Sequence, residues 1–403
     1  MTYFPISEFS YKDWPSLDAF GRLRTSSQTQ LIDLKQLKDK LPLFFDEVIG
    51  WAWTSTHSAT TASTNMAVTG GTDYVIRQTY RRFPYYAGKS DLIDMTFAGF
   101  QPEANVEKEV WYYNSSSAAP YSASLDWILL RSSGGVVTAY TYRSGTITNQ
   151  EVQSNWNLDK LDGTWPSWIT VDWSLSQILV VDFQYLWVGR VRLWLSVDWQ
   201  LYYFHQFNNA NNLSDVYMSS PNHSIRYSIR STGWAGSFKT ICASVASEGS
   251  NNELSKEYSI NRGTTLLSAT TAGTKYCSQA YRLATWFEDA FVKLMWYSID
   301  SFTNDDLLFE IILNPTIAWA LAYSAVTNTV IESAVWATAN TVTGWFVLAS
   351  WYITQFTSEN NMKASVLSPW VKINGTRDVI ALVITPLSAS ATVLTALNIQ
   401  ESL

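Results

Sequence analysis

The stretch Arg190–Phe207 reads RVRLWLSV, then DW, then QLYYFHQF. Both longer runs are rich in β-branched and aromatic residues, as β-strands are. Two such runs separated by two residues predict a β-hairpin with Asp198 and Trp199 in its turn. Both central positions of that turn need a positive φ, which the side chain of Trp199 makes costly. The stretch therefore predicts a sheet, and it places tryptophan where glycine is the usual residue.

Short strand-like runs and turns continue on both sides of this hairpin, with no convincing helical period between them. Strands at this spacing predict a β-sandwich, jelly roll or barrel. A polar stretch near Asn251–Lys256 suggests a domain boundary, and further strand-like runs follow it. We therefore predict an all-β chain with a jelly-roll or β-sandwich main domain over 47–261 and a second, C-terminal β-sandwich domain over 262–403.

Residues 1–46 have no clear period, and we interpret them as an extended N-terminal assembly arm. Within it, Ser27–Lys40 is open to two readings. One is a short helix with Leu31, Leu34, Leu37 and Leu41 on one face and Pro42 as its stop, and the other is an extended strap on a neighbouring surface. The large apolar side chains of the arm are expected to be buried in a subunit interface. The residues assigned to this role are Phe4, Phe9, Tyr11, Trp14, Phe20, Arg22 and Arg24.

The composition argues against several classes of protein. Of the 403 residues, 47% are hydrophobic and only 15% are charged, and the net charge is −7. A nucleic-acid binder needs a basic face, so nucleic acid is not an expected partner. The chain shows no signal-peptide pattern and no apolar run long enough for a membrane span, so membrane insertion is not expected. Cys242 and Cys277 are expected to be reduced, unpaired and buried.

The histidines do not form a metal-site pattern. His57, His205 and His223 are far apart, whereas metal sites usually have two or more ligands at short spacing. His205 lies in an alternating run and is predicted to be a buried structural histidine. His223 follows Pro221 and Asn222 and is predicted to lie exposed in a turn. No cofactor is expected.

The charged side chains also indicate structure rather than catalysis. The neighbouring carboxylates Asp46-Glu47 and Asp305-Asp306 would point to opposite faces of a strand, which does not suit acid–base chemistry. The common nucleophile and phosphate-loop motifs are absent. We therefore predict that the chain is not an enzyme. Salt bridges, within the chain or to a neighbouring subunit, are favoured over anion binding for the cluster Arg77, Arg81 and Arg82.

Several blocks of the sequence recur in the same order in one protein family. They include Asp18–Arg24 (DAFGRLR), Arg77–Phe83 (RQTYRRF), Asn155–Thr164 (NWNLDKLDGT), Tyr217–Asn222 (YMSSPN) and Ile312–Thr316 (ILNPT). In these blocks, which span nearly the whole chain, it resembles virion structural proteins of tailed bacteriophages, with relatives in large DNA viruses of algae. These proteins are mostly described only as structural.

The resemblance implies a capsid-, neck- or tail-associated virion protein that is assembled in the host cytoplasm. Such proteins work as homo-oligomers, often trimers, in contact with other virion proteins. The alternative is a carbohydrate-binding host adhesin or receptor-binding module on the virion, which an exposed cluster of Tyr and Trp on one sheet face would favour. A third reading, a tailspike-type glycan hydrolase, needs two or three carboxylates that converge in a groove.

The chain departs from this family in one systematic way, because tryptophan often stands where the family pattern has glycine. It contains 20 Trp and only 18 Gly, although Trp156 and Trp173 match tryptophans of the family. Some bacterial lineages read the UGA codon as glycine and others as tryptophan. We hypothesise such a genetic code reassignment, and the rival explanation is true substitution, which would overpack and strain turns. The suspected positions are Trp165, Trp168, Trp187, Trp194, Trp199, Trp234, Trp336, Trp345 and Trp351.

Overall fold

The protein is all-β, with strands as its main elements and one short 3₁₀ helix among the described residues. It divides into two compact units, Met1–Asn252 and Glu253–Leu403. The structure, a computed structural model, describes residues 28–50, 54–114, 126–198, 200–248, 256–303, 305–335, 340–344, 346–354, 358–359 and 368–402.

The first unit consists of strands joined by turns and loops, with the 3₁₀ helix Gln153–Asn155 before β11. Its strands are β1 (Gln28–Lys35), β2 (Phe45–Gly50), β3 (Thr54–Ser58), β4 (Ser63–Val68), β5 (Tyr74–Thr79), β6 (Asp91–Ala98), β7 (Val106–Tyr113), β8 (Trp127–Ser133), β9 (Val136–Arg143), β10 (Thr146–Val152), β11 (Ser176–Phe183), β12 (Val191–Val197), β13 (Gln200–Phe207), β14 (Ser224–Ser231) and β15 (Gly236–Glu248).

These strands form two antiparallel sheets. The first has eight strands in the order β13-β12-β11-β6-β15-β4-β3, with β1 paired to β15. The second has seven strands in the order β10-β9-β8-β7-β14-β5-β2. The chain passes from one sheet to the other between β4 and β5, between β5 and β6, and between β6 and β7. The unit is therefore a jelly-roll-like β-sandwich, as predicted.

Side-chain alternation places the core between the two sheets. On β6, Ile93, Met95 and Phe97 are fully buried, and the residues between them are half-buried on the opposite face. Ile225 and Tyr227 on β14 of the other sheet belong to the same apolar cluster. The two inner faces thus supply one continuous core.

The predicted hairpin is formed by β12 and β13, which pair from Val191↔Phe207 to Val197↔Gln200. Asp198 lies in the turn with a φ of 51°. Trp199, its predicted partner in the turn, lies outside the described residues. The hairpin contains one irregularity, a β-bulge between Leu193 and Trp194, which changes the register along β13.

The helix considered for Ser27–Lys40 is wrong, because Gln28–Lys35 is the strand β1 and pairs with β15 of its own sheet. The register shifts between Gln30 and Ile32, so a bulge at Leu31 brings Leu31 and Leu34 to the core side together. That spacing of three residues mimics one face of a helix.

The arm assigned to 1–46 is also wrong for its described part. Residues 28–46 contain β1 and the start of β2, and these two strands lie in the two different sheets of the first unit. The segment therefore belongs to its own domain because its backbone completes both sheets. The arm residues Phe4, Phe9, Tyr11, Trp14, Phe20, Arg22 and Arg24 all lie outside the described residues.

The second unit has the same kind of architecture. Its strands are β16 (Lys256–Asn261), β17 (Leu267–Ala269), β18 (Tyr276–Leu283), β19 (Phe291–Ser301), β20 (Leu307–Leu313), β21 (Thr316–Ile317), β22 (Ser324–Ala325), β23 (Ile331–Val335), β24 (Val342–Thr343), β25 (Phe346–Ile353), β26 (Ser358–Glu359), β27 (Ile380–Pro386) and β28 (Ala391–Ser402).

The described strands of this unit form two sheets and one small ribbon. A five-stranded sheet has the order β16-β28-β19-β26, with β17 also paired to β28, and a six-stranded sheet has the order β22-β23-β18-β27-β20-β25. The ribbon is formed by β21 and β24. Leu294 and Ile399 of the first sheet share an apolar cluster with Phe309 and Leu382 of the second. The result is a second β-sandwich.

The second unit begins earlier than the predicted boundary between residues 261 and 262. Lys256–Asn261 pairs with the C-terminal strand β28, from Lys256↔Glu401 to Asn261↔Ala396. A polar stretch therefore precedes the strand as expected, but the strand itself belongs to the C-terminal β-sandwich.

Candidate functional site

The candidate site lies on the outer face of the five-stranded sheet of the second unit. Three adjacent strands, β16, β28 and β19, bring Ser259, Asn398 and Trp296 into one row, because Ser259 and Trp296 both pair with Asn398. Leu397 and Ile399, which flank Asn398 on β28, belong to the core cluster. Since successive side chains of a strand point to opposite faces, Asn398 faces outward.

A bulge in β19 enlarges this face. The register shifts between Leu294 and Trp296, so Met295 is an extra residue beside the row. Trp296 remains 44% exposed, although tryptophan is usually well buried. Beside it is a shallow depression of about 190 Å³, which is lined by Glu257, Tyr258, Ser259, Met295, Trp296, Asn398 and Ile399.

Two amide side chains on this face have unsatisfied hydrogen-bonding groups. Asn398 Nδ2 is buried and has no partner among the described residues, and the same is true of Gln400 Oε1. Gln400 is only 7% exposed and lies two positions along β28, about 7 Å from Asn398. One atom is a donor and the other an acceptor. An unsatisfied buried polar group costs free energy, so each amide gains a hydrogen bond if it turns outward to a polar partner.

The charge on this face is small. Glu257 is the one carboxylate among the residues that line the depression. In the next row Glu257 and Lys293 both pair with Gln400, so one negative and one positive residue flank the amide. An exposed indole beside amide and hydroxyl groups can stack on an apolar ring face and bind hydroxyl groups at its edge.

The aromatic cluster of the first unit differs from the face around Trp296 because its side chains are buried. The side chains that form it belong to β7, β8 and β9 of the seven-stranded sheet, and each is less than a tenth exposed. Arg226 of β14 lies over two of its rings, 4.2 Å from the ring centre of Tyr113 and 5.1 Å from that of Trp111. The cluster offers no open platform. Its members are Trp111, Tyr113, Trp127, Leu129, Tyr140 and Tyr142.

The three histidines have structural contacts. His205 is buried, its Nδ1 accepts a hydrogen bond from the backbone N–H of Asn157, and burial lowers its pKa to about 4. The prediction that His223 is exposed is wrong, because it is fully buried between the carbonyl groups of Tyr112 and Ser220. Its contact with Tyr112 spans 111 residues of sequence, which no local pattern reveals. His57 Nε2 lies 2.8 Å from the carbonyl oxygen of Gln36.

The first carboxylate pair lies within an ion-pair network. Glu47 accepts hydrogen bonds from Lys40, Ser55 and Arg77, and Arg77 also donates to the carbonyl of Lys40 at 2.6 Å. Burial alone would raise the pKa of Glu47, but the hydrogen bonds of Lys40 and Ser55 and the charge of Arg77 outweigh it and lower the pKa. Arg77 thus makes an internal salt bridge. Arg81 donates to the carbonyl of Leu31 at 3.0 Å, while Arg82 is buried.

The second carboxylate pair and the cysteines also have structural surroundings. Asp305 accepts hydrogen bonds from the hydroxyl and N–H of Ser388 and from the N–H of Ala389, which lower its pKa against the opposing effect of burial.

Cys277 is buried and its pKa is raised to about 12 by that burial. Cys242 is free as well, but it is half-buried rather than buried because it points away from the core. Within the described part of the chain, no three metal-ligating side chains converge.

The suspected tryptophans fall into three groups. Trp165, Trp187 and Trp234 are exposed in turns or bends, and Trp168 is exposed directly after a turn. Trp194 is fully buried in β12, where its ring packs on Tyr203, and Trp351 is half-buried in β25. The third group, Trp199, Trp336 and Trp345, lies outside the described residues.

The row Ser259–Asn398–Trp296 was not identified from the sequence. Its members come from three strands that are separated by up to about 140 residues, and each strand alone reads as ordinary sheet. One signal was available in β28, where Asn398 and Gln400 alternate with apolar Leu397 and Ile399. That alternation marks an outward polar face in the last strand.

Comparisons with known proteins concern the fold. No protein-family model matches the sequence, and no curated protein does. Similar solved structures include a prokaryotic β-1,3-1,4-glucanase (lichenase) from a mouse hindgut metagenome, with 8% identity and a TM-score of 0.36 over 53% of this chain and 97% of that one. The Emp47p carbohydrate recognition domain has 10% identity and a TM-score of 0.33 over 54% and 95% of the two chains. Lectin I-B4 from Griffonia simplicifolia has 11% identity and a TM-score of 0.29 over 54% of this chain and 99% of that one.

These similarities are of β-sandwich fold only, and what those proteins bind or cleave does not transfer to this chain. The described residues include no helix with the length and apolar character of a membrane span.

Proposed function

We propose that this chain is a non-enzymatic structural protein of a phage-like particle, and that the outer face around Trp296 in its second unit binds a host surface glycan. The observation that carries the glycan proposal is the row Ser259–Asn398–Trp296, which places an exposed indole beside unsatisfied amide groups. Nothing in the row requires a metal or cofactor.

The chemistry of this face suits a pyranose ring. The apolar C–H face of a sugar stacks on the indole of Trp296, as apolar groups pack on aromatic faces. Sugar hydroxyls both donate and accept. Once the two amides turn outward, one hydroxyl accepts from Asn398 Nδ2 and another donates to Gln400 Oε1. The depression of about 190 Å³ is smaller than the ~300–1,000 Å³ typical of drug-sized ligands. We therefore propose one sugar residue per site.

Such a shallow site binds weakly on its own, and assembly compensates for this. Linking several copies in an oligomer raises avidity by about 10²–10⁴ without new contacts, provided that the copies reach their targets together. A homo-oligomer, for example a trimer, within a particle meets this condition. The location in the virion, the contacts with other virion proteins and the assembly in the host cytoplasm rest on the sequence resemblance. Detection of the chain in purified particles tests them.

Binding rather than cleavage is proposed because of the carboxylates. Glycoside hydrolysis in most families uses a pair of carboxyl groups on either side of the scissile bond. The depression has Glu257 as its one lining carboxylate. We expect no release of reducing sugar when the purified protein is incubated with polysaccharides that it binds.

Replacement of the indole is the sharpest test of the site. Trp296→Ala is expected to weaken binding of neutral hexopyranoses at least tenfold, which corresponds to about 1.4 kcal/mol, because the stacking surface is lost. Binding can be measured by saturation-transfer NMR with glucose, galactose, mannose and N-acetylglucosamine. Trp319→Ala is the matched control, since Trp319 is also an exposed tryptophan of the second unit but lies outside the row. Equal loss in both variants would reject the site.

A further inference from the structure

Three tryptophans have a backbone conformation that disfavours every residue with a Cβ. Their φ values are 63° at Trp168, 60° at Trp187 and 78° at Trp286. This left-handed region is strained for bulky residues and readily adopted by glycine. Strain of this kind persists only when surrounding interactions offset it.

The preference of the backbone for glycine is clearest at Trp286. The N–H of Phe287 donates to the carbonyl of Ala284 at 3.2 Å, so Trp286 is the third residue of a four-residue turn. A φ near +80° at that position is the mark of a type II turn, which calls for glycine or asparagine there. The side chain is 85% exposed, so packing does not offset the strain.

Trp187 lies in the tight loop between β11 and β12. The N–H of Gly189 donates to the carbonyl of Tyr185 at 2.7 Å, and a Cβ on Gly189 would lie only 1.6 Å from the carbonyl oxygen of Gln184. Position 189 therefore has no room for a side chain. The ring of Trp187 packs on that of Tyr185 and leaves about half of its surface exposed.

Trp168 closes another turn, in which its N–H donates to the carbonyl of Thr164 at 3.1 Å. A left-handed residue that ends such a turn is usually glycine. Its ring is largely exposed as well. At all three positions the backbone favours glycine. The side chains of Trp168 and Trp286 have little packing that would favour tryptophan, whereas that of Trp187 packs on Tyr185.

We infer that positions 168, 187 and 286 are glycine in the protein made in its native host, and that the gene has UGA at each of them. The inference is independent of the glycan site. It adds Trp286 to the positions suspected from the sequence. It does not include Trp194, which was also suspected, or Trp296, because neither has a positive φ.

Codons and peptide masses test this inference. The gene is expected to carry UGA at 168, 187 and 286 and UGG at 156, 173 and 296, and peptides from native particles are expected to have the masses of glycine at the first three. UGG codons or tryptophan masses at those three positions would overturn it.

Stability gives a second, independent test on the full chain. Trp168→Gly and Trp286→Gly are each expected to raise the thermal midpoint by a few degrees, because strain is relieved and little packing is lost. Trp194→Gly is the control and is expected to lower it, because removal of a fully buried ring leaves a cavity. A lower midpoint in both turn variants would also contradict the inference.

Discussion

Deletion of residues 1–46 is expected to unfold the first unit. The deletion removes β1, which pairs with β15 from Gln28↔Glu248 to Lys35↔Cys242, and it removes the first residues of β2. It also removes Leu31, Leu34 and Phe45 from the core. Each such side chain contributes roughly 1.5–3 kcal/mol, so the loss is on the order of 5–9 kcal/mol. Whole domains are stable by only ~5–15 kcal/mol.

Deletion of residues 1–27 is the matched control, because it leaves both strands intact. Circular dichroism and thermal melting should show a folded β protein for the shorter deletion and loss of the first unit for the longer one. If the shorter deletion folds but fails to enter particles, an assembly role for Phe4, Phe9, Tyr11, Trp14 and Phe20 is supported. A longer deletion that melts like the full chain would show that β1 does not stabilise the sandwich.

The second large effect is expected at Asp91, a carboxylic acid held in the interior of the first unit. It is only 1% exposed, and the Ser247 hydroxyl beside its carboxyl group offsets the cost of burial only in part. Burial raises its pKa to about 7, and the charge of Glu248 acts in the same direction. The folded state therefore holds a proton that the unfolded chain releases near pH 4.

The sign of the pH dependence follows from this difference. Between about pH 4 and pH 7 the folded state binds more protons than the unfolded state, so the stability contribution of Asp91 falls as the pH rises. Each pKa unit corresponds to about 1.36 kcal/mol, which makes the penalty above pH 7 on the order of 4 kcal/mol. Asp91→Asn cannot ionise, and we expect it to raise the thermal midpoint at pH 8 and to change it little at pH 4.

Asp126→Asn is the control, because Asp126 accepts hydrogen bonds from the backbone of Ser144, Ser219 and Ser220 and from the Ser219 hydroxyl. Its amide replacement loses acceptors and should lower the midpoint at pH 8. If Asp91→Asn lowers the midpoint equally at pH 4 and pH 8, Asp91 is charged and paired at neutral pH, contrary to the account.

Local sequence patterns predicted those parts of the fold that depend on neighbouring residues. The hairpin of β12 and β13 was predictable because alternation and turn length are both local. The strand β1 was misread because a single bulge at Leu31 changed the alternation to a spacing that also fits a helix. His223 was misplaced because its partner Tyr112 is distant in sequence, so a turn-like context gave no sign of burial.

The candidate site could not be predicted in the same way. Its row combines Ser259, Trp296 and Asn398, and only the register of three strands makes them neighbours. Family resemblance singled out Trp168 and Trp187, both of which have a left-handed backbone. It did not single out Trp286. The type II turn at this position is recognised from its backbone conformation and not from the sequence around it. Conformation supplies that information directly.

The most direct test of the central claim is a crystal structure of the full chain with the neutral hexopyranose that binds best. We predict one sugar ring stacked on Trp296, with hydroxyl groups within hydrogen-bond distance of Asn398 Nδ2 and Gln400 Oε1. A sugar bound elsewhere, or an empty face at saturating concentration, would contradict the proposal that this face binds glycans.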